Sequence, residues 1–515
     1  MPELPPPPTY SAAISPWVDV RTGPSYRRVG LQELLLDAHT FDDLALAAPP
    51  AASALLRIAV AIAARITGLD DPDLTATQWT KLRREVLAAG RLDASAVDTY
   101  FSRYCWDVFD PHRPWLQDAA LREQCPTVGI NALVHRPSGN NLVWFTAPSR
   151  TPAPVPTAHA LQHLLIWHFY GRQGTGCFRT VDGISRKQLY SGPLRTTVSY
   201  HPQGRTLFET LVAGCPPFTG DEQLAPDHCP WEAPTPDPLA TPHPITWPGR
   251  LLTGRSRHAL LLLPDTTGAA VTDAHITWAL PSSNAILEAS DPYLARTTLP
   301  GQRDRSGAPR RGVRRADADR AWWRELDTLL LAPDEERATR RPDIFSTLND
   351  LPEDLRQTLR VRVHGFHQEV LRTVNRQWYT ALTPPLLNWM QEHDPERAQR
   401  IADCCQSAEE VAETLNHAAR QAWLDTRHAA RRRTAGAAWA ADATARYWPP
   451  AETAFWRLLD TPEEPVRPAF TRAAASALRA ATQSDRARSP HAARAVARAV
   501  RSLHALPHTQ RKRRT

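Results

Sequence analysis

A chain of 515 residues with 42% hydrophobic side chains can bury at least one large core, and its length alone points to two or more domains. The opening MPELPPPPTYSAA lacks a basic start followed by an apolar run. No stretch offers about 18 uninterrupted apolar residues either, so export and membrane insertion are not indicated and a cytoplasmic location is expected. The formal charge of +7 is modest, but it is local: about a dozen basic side chains between Arg467 and Thr515 face a single acid, Asp485, and a second arginine cluster runs from Arg303 to Arg315. That local excess of positive charge makes nucleic acid a serious partner.

In chain order, the segment from Gly30 to Ile66 reads as helices, with Leu55, Ile58, Ile62 and Ile66 at helical spacing. Between about Val128 and Tyr200 the pattern changes to short pieces broken by Gly and Pro. These include Pro137–Asn141 and Gly171–Gly176, flanking a helix through His159–Phe169. From Leu224 to Pro248 proline is too frequent for regular structure, and the arginine-rich run Gly301–Arg315 reads as a long loop. Two hairpins are predicted: Ala259–Leu263 with Ala270–Leu280, and Leu359–Val363 with Val370–Val374 around a turn at Gly365–Glu369. After Pro384-Pro385 the composition becomes alanine-, arginine- and leucine-rich. Helical windows follow at Pro395–Arg427, Ala429–Tyr447, Glu452–Leu459, Val466–Ala481 and His491–Leu503, with breaks at Trp448-Pro449-Pro450 and Pro462–Pro465.

The predicted fold class is therefore α+β, a large mixed α/β N-terminal domain over 1–385 followed by a C-terminal four-helix bundle over 386–505. A mobile basic tail over 506–515 completes the expected division.

Chemistry-bearing motifs are sparse. The sequence holds no G-x-S-x-G, H-E-x-x-H, P-loop or C-x-x-C, and its 19 histidines are scattered without a carboxylate partner spacing. Seven cysteines, an odd number, do not suggest disulfide scaffolding. Cys215 to Cys229 with His228 could gather a metal, yet scattered loop and core residues are the simpler reading, so neither metal nor cofactor is predicted. No catalytic residue is assigned, and the chain is read as a non-enzyme.

Several ordered segments resemble the CasA family, the large subunit of the type I-E CRISPR Cascade complex. They are Ser15–Arg21, Val29–His39 and Leu55–Arg57; Phe109-Asp110-Pro111-His112-Arg113-Pro114-Trp115-Leu116-Gln117; Pro137–Asn141; and Asp319-Arg320-Ala321-Trp322-Trp323-Arg324-Glu325-Leu326. The resemblance covers nearly the whole chain and includes the C-terminal helical bundle. It implies a protein that recognises the protospacer-adjacent motif in double-stranded DNA, promotes strand opening and R-loop formation, and docks a helicase-nuclease in antiviral defence. Implied partners are guide RNA, target DNA, the backbone, small and guide-end-binding Cascade subunits, and the recruited helicase-nuclease, with no membrane. A stand-alone DNA- or RNA-binding scaffold is the rival reading.

The resemblance also implies site residues. Gly174 and Gly176 would permit close backbone approach to the minor groove, with Arg179 standing where the family usually has lysine. Arg303, Arg305, Arg310 and Arg311 occupy the region of a groove-entering lysine finger, and the sequence does not choose among them. His367 and Gln368 lie where the family has a glutamine-bearing wedge, either of them able to act, while Phe366 is expected to anchor the turn in the core. Leu133, His135, Arg136, Asn140 and Asn141 match the loop that contacts guide RNA and neighbouring subunits. Asn140 and Asn141 could equally cap that loop's own backbone.

Overall fold

The structure is a computed structural model. It describes residues 8–134, 153–218, 226–240, 246–279, 291–303, 307, 309–333, 339–368, 375–426 and 437–505. The chain forms two compact units, one of residues 1–320 with 333–388 and the other of 321–332 with 389–515. The boundary at 388/389 lies close to the Pro384-Pro385 break. The segment 321–332 belongs with the C-terminal unit, although the sequence reading left it in the N-terminal domain.

The centre of the N-terminal unit is the helix Pro49–Thr67. It starts with prolines in its first turn, where no backbone donor is lost, and stops at Gly68, whose φ of 73° closes the C-terminus. Its ladder of Ala, Leu, Ile and Val is apolar on all sides, so it is buried on all sides; by length and composition it could cross a membrane, yet most of it lies inside the protein. One charge travels with it. Arg57 is fully buried and donates to Asp291 at 2.7 Å, Arg255 donates to the same carboxylate at 2.5 Å, and the Arg57 guanidinium lies 4.8 Å from the centre of the Tyr293 ring. Beside this helix packs Thr157–Tyr170, equally apolar, which the sequence placed at His159–Phe169.

Around these helices stand small antiparallel sheets. Val18–Thr22 pairs with Ser25–Val29 and Asp43–Leu44, His258–Pro264 pairs with Ala270–Trp278, and Arg360–Gln368 lies between Val198–Gln203 and Asn375–Leu382. The described part of the proline-rich segment is irregular, as its composition predicts, and acidic anchors tie it down. Arg65 ion-pairs with Asp70, with Asp227 at 2.8 Å and with Glu232 at 3.1 Å, while Tyr100 links Glu232 to the indole of Trp231.

The C-terminal unit is built on the helix Pro395–Asp425, capped by Asp394 on the Arg397 amide, and on Ala437–Asp460, Val466–Ala481 and Pro490–Ala505, with a short helix Gln483–Arg488 before the last. Two expectations change here. The break expected at Trp448-Pro449-Pro450 is absent: one helix runs from Ala437 to Asp460 with both prolines inside. Each internal proline costs roughly 3 kcal/mol. Burial on both sides of the pair offsets it, with Tyr447 before and Ala451, Phe455 and Leu458 after, and Trp448 partly buried. The second change concerns 321–332. Trp323 is fully buried against Phe455 at 4.7 Å, and Arg324 holds Glu409 through two bonds at 2.7 and 2.8 Å while lying 3.4 Å from the centre of the Trp448 ring. The tryptophan pair is thus part of the bundle's own core.

Candidate nucleic-acid interface

Three hairpins of the N-terminal unit carry most of the sequence-assigned residues. The first joins Gly174–Val181 to Ile184–Leu189 through Asp182 and Gly183, with φ of 47° and 78°. Positive φ at both central residues makes this the two-residue turn whose twist suits a hairpin, and Asp-Gly is a dipeptide that accepts it. Reading Gly171–Gly176 as a loop missed this signal. Gly174 itself has φ of 134°, which other residues rarely adopt, and a side chain there would meet open space. Gly176 is glycine for a different reason: an added Cβ would sit 2.9 Å from the Leu189 side chain.

Arg179 requires correction. It is 1% exposed, donates from Nη2 to Asp118 at 2.6 Å, from Nε to Gln124 at 2.8 Å and from Nη1 to the Trp278 carbonyl at 3.0 Å, and rests over the Trp278 ring. Side chains alternate across a strand, so the residue after an exposed position points inward, and every arm of this guanidinium is committed to pinning the hairpin. The outward face carries other residues. Phe178 is 56% exposed with the Lys187 ammonium 5.0 Å from its ring centre, while Arg186, which faces Arg179 in the register, is exposed on the other face of the pair. An exposed aromatic under a lysine is what the outward face of this hairpin presents, in place of the Arg179 side chain expected there.

The second hairpin replaces the long loop predicted over Gly301–Arg315. Arg296–Arg303 pairs with Pro309–Val313, Thr297 facing Gly312, and a register shift follows before Arg303 meets Pro309. Consecutive Arg and Thr residues hid the strands. Arg303 is exposed and donates to the Gly307 carbonyl at 2.6 Å, Arg310 is exposed and reaches Gln302 at 3.4 Å, and Arg311 is half-buried. Arg305 lies outside the described residues.

The third hairpin corrects the wedge. Arg360–Gln368 is a continuous strand whose partner starts at Asn375, so His367 and Gln368 sit in the ladder instead of at a turn, and the connection is 369–374, outside the described residues. Gln368 is 4% exposed. His367 accepts the Ala318 amide at 3.0 Å through Nδ1, which ties it to a neighbouring loop. Phe366 is buried between Tyr170 and Trp378 at 5.5 and 5.7 Å, which is the anchoring role expected of it. Gly365 faces Tyr379 across the ladder so closely that an added Cβ would overlap the ring. The strand is longer than its sequence suggested because a glycine in mid-strand was read as a turn.

Leu133 also needs correcting. It is fully buried and its carbonyl accepts the Trp167 indole N–H at 2.9 Å, so it is a core residue. His135, Arg136, Asn140 and Asn141 lie outside the described residues.

In the C-terminal unit part of the arginine excess is neutralised. Arg467 pairs with Glu410, Arg472 with Glu464 and Arg498 with Asp425. Arg494 and Arg501, seven positions apart on the last helix, are exposed without an acidic partner among the described residues. Seven residues are about two helical turns, so the two lie on one face.

Buried histidines mark the interior of the N-terminal unit. Burial holds His258 and His364 down to about 3 and His201 well below the ordinary imidazole value, with nearby Arg57 adding to the effect at His201 and His364. Such groups are neutral packing elements.

Comparison with known proteins follows the same outline. The family described as CRISPR-associated protein Cse1 matches residues 13–484. A CasA/Cse1 protein of Thermus thermophilus is 26% identical over 430 residues, 79% of this chain and 76% of that protein. Among solved structures, a chain of a CRISPR RNA-guided surveillance complex is 35% identical with a TM-score of 0.83, covering 97% of this chain and all of that one. Thermobifida fusca Cse1 has the same fold at 19% identity and a TM-score of 0.74, covering 96% and 98%. With the family match spanning both units, this chain belongs to the CRISPR-associated Cse1 (CasA) family.

Proposed function

We propose that this chain is the large subunit of an RNA-guided type I-E surveillance complex. In that role it recognises the protospacer-adjacent motif in duplex DNA, promotes strand opening and R-loop formation, and offers a docking surface to a helicase-nuclease. The observation that carries the reading is the match, over 97% of the chain, to a chain of an RNA-guided surveillance complex. Its partners are then guide RNA, target DNA and the other Cascade subunits, its place of work is the cytoplasm, and strand cutting belongs to the recruited nuclease.

The physical parts are suited to the task. A groove reader needs cations on a rigid support and a backbone that can approach DNA closely. Lys187 and Arg186 on the first hairpin, and Arg303 and Arg310 on the second, supply exposed charge on hydrogen-bonded strands. Phosphate contacts by such cations position the duplex, and motif choice is then made at base edges or by groove shape. Arg494 and Arg501 supply a further cationic face for backbone contact.

Reconstitution tests this. The guide-bound complex assembled with and without the chain is titrated with duplex bearing a matching target. Tighter, motif-dependent binding with the chain is expected, weakening steeply with salt. Equal binding by both assemblies would overturn the proposal, and cleavage of duplex by the pure chain with divalent metal would overturn its non-enzymatic part.

A further inference from the structure

The proline-rich segment and the loop after Phe109 enclose a cavity of about 580 Å³ in the N-terminal unit. That volume falls in the range of sites for small organic ligands and cofactors, which runs from roughly 300 to 1,000 Å³. Its walls include the ring of Phe169 and the indoles of Trp115 and Trp231, whose centres stand 6.4 Å apart, together with prolines of the segment. The charged groups on those walls divide sharply. Arg179 is committed to Asp118, and Arg255 to Asp291. Both ring nitrogens of His168 are bonded, one with Ser256 and one with the Leu116 carbonyl.

Two guanidiniums on the wall are not committed. Arg250 is half-buried and Arg113 exposed, and neither side chain has a hydrogen-bond or carboxylate partner among the described residues. Two further wall residues hold buried nitrogens without a partner among the described residues, Nε1 of Trp115 and Nδ1 of His258. Asp237 is the remaining acid on the wall; it is exposed and takes the Leu239 amide. A cavity with flat aromatic walls and spare guanidiniums fits an aromatic body that carries an anion. Guanidinium forks match phosphate oxygens, and indole and proline faces accept a base.

We propose that this cavity binds a nucleoside phosphate, its base against the Trp115 and Trp231 wall and its phosphate on Arg113 and Arg250. This inference stands on the cavity alone and does not depend on the proposed role in target DNA recognition. The nucleotide can come as a free mononucleotide or as one unstacked nucleotide of a strand.

Calorimetric titration of the full chain with adenosine and uridine 5′-monophosphates, adenosine, inorganic phosphate, and a 5′-phosphorylated oligothymidylate tests it. Arg113→Gln and Arg250→Gln should each weaken binding roughly tenfold, the loss of a charge-assisted hydrogen bond. Ala240→Trp, which fills the exposed rim, should abolish it. Mononucleotide binding weakened by the arginine variants and abolished by the rim variant supports the proposal with a free ligand; oligonucleotide binding alone, affected in the same way, supports it with a strand as the source. Binding that all three variants leave unchanged, binding of inorganic phosphate as tight as that of any nucleotide, or no binding of any probe overturns it. Melting temperatures check folding, and if an arginine variant is destabilised the rim variant decides.

Discussion

Acid should begin to destabilise the N-terminal unit below about pH 6.5, through histidines buried in its interior. His201, His258 and His364 are 3%, 1% and 5% exposed, and burial holds the latter two at about 3. Above pH 6.5 these rings are neutral folded or unfolded and contribute no pH dependence. Below it the unfolded chain takes up protons that the folded one refuses, so stability falls with falling pH, and the slope persists until the folded value near 3 is reached. At pH 5 an imidazole of ordinary value is almost fully protonated when unfolded, which costs the fold about 2 kcal/mol for each of His258 and His364, with His201 acting in the same direction.

The assay is urea unfolding of the full chain between pH 8 and pH 5, followed through the transition of the N-terminal unit. His364→Leu is the informative variant, because neither ring nitrogen of His364 has a hydrogen-bond partner among the described residues and Leu removes the titration at similar volume. Its stability should drop about 2 kcal/mol less than that of the wild type over this range. Parallel pH profiles for the two proteins would refute the reasoning.

Four further outcomes are expected. Arg179→Ala should cost about 3–5 kcal/mol of stability by stranding the buried Asp118 carboxylate, read by thermal unfolding, and Arg179→Met with Asp118→Leu should recover part of it. Gly365→Ala should cost about 1–3 kcal/mol through overlap with Tyr379, and the added change Tyr379→Ala should relieve that overlap in the same melting assay. Lys187→Gln should leave the melting temperature unchanged, weaken target binding by the assembled complex and lower its salt slope by about 1. Gln368→Ala should lower stability as well as strand opening, because the residue is buried in a ladder; loss of opening alone, followed by a base-unpairing reporter, would return it to an exposed wedge.

What the sequence made legible was periodicity. Ile58 and Ile62 announced the core helix, the alanine-rich windows announced the bundle, and Val466–Ala481 is a helix over the very residues read from its pattern. Long-range partners were not legible. Arg179 looks like a free cation until Asp118 and Gln124, about sixty positions earlier, close around it. Leu133 gains its role from Trp167, and the helix that runs through Pro449-Pro450 packs its Phe455 on Trp323, more than a hundred positions earlier. Local signals were also misweighed: Asp182-Gly183 was the hairpin marker, and Gly365 was a gap left for a cross-strand ring. The family resemblance supplied the overall identity because it rests on the order of many weak segments, and that order survives where single side chains have changed roles.

The tryptophan-bearing stretch 321–332 gives the C-terminal unit a history. It leaves the ribosome first, then the whole of 333–388 must be made before the helices that cover Trp323 exist. Until then an indole meant for an interior is in water, a natural client for a chaperone. A fragment beginning at Trp389 would carry all the long helices and still lack the ring that fills their middle, so it should be expressed with 321–332 fused ahead of it, or not be expected to be stable.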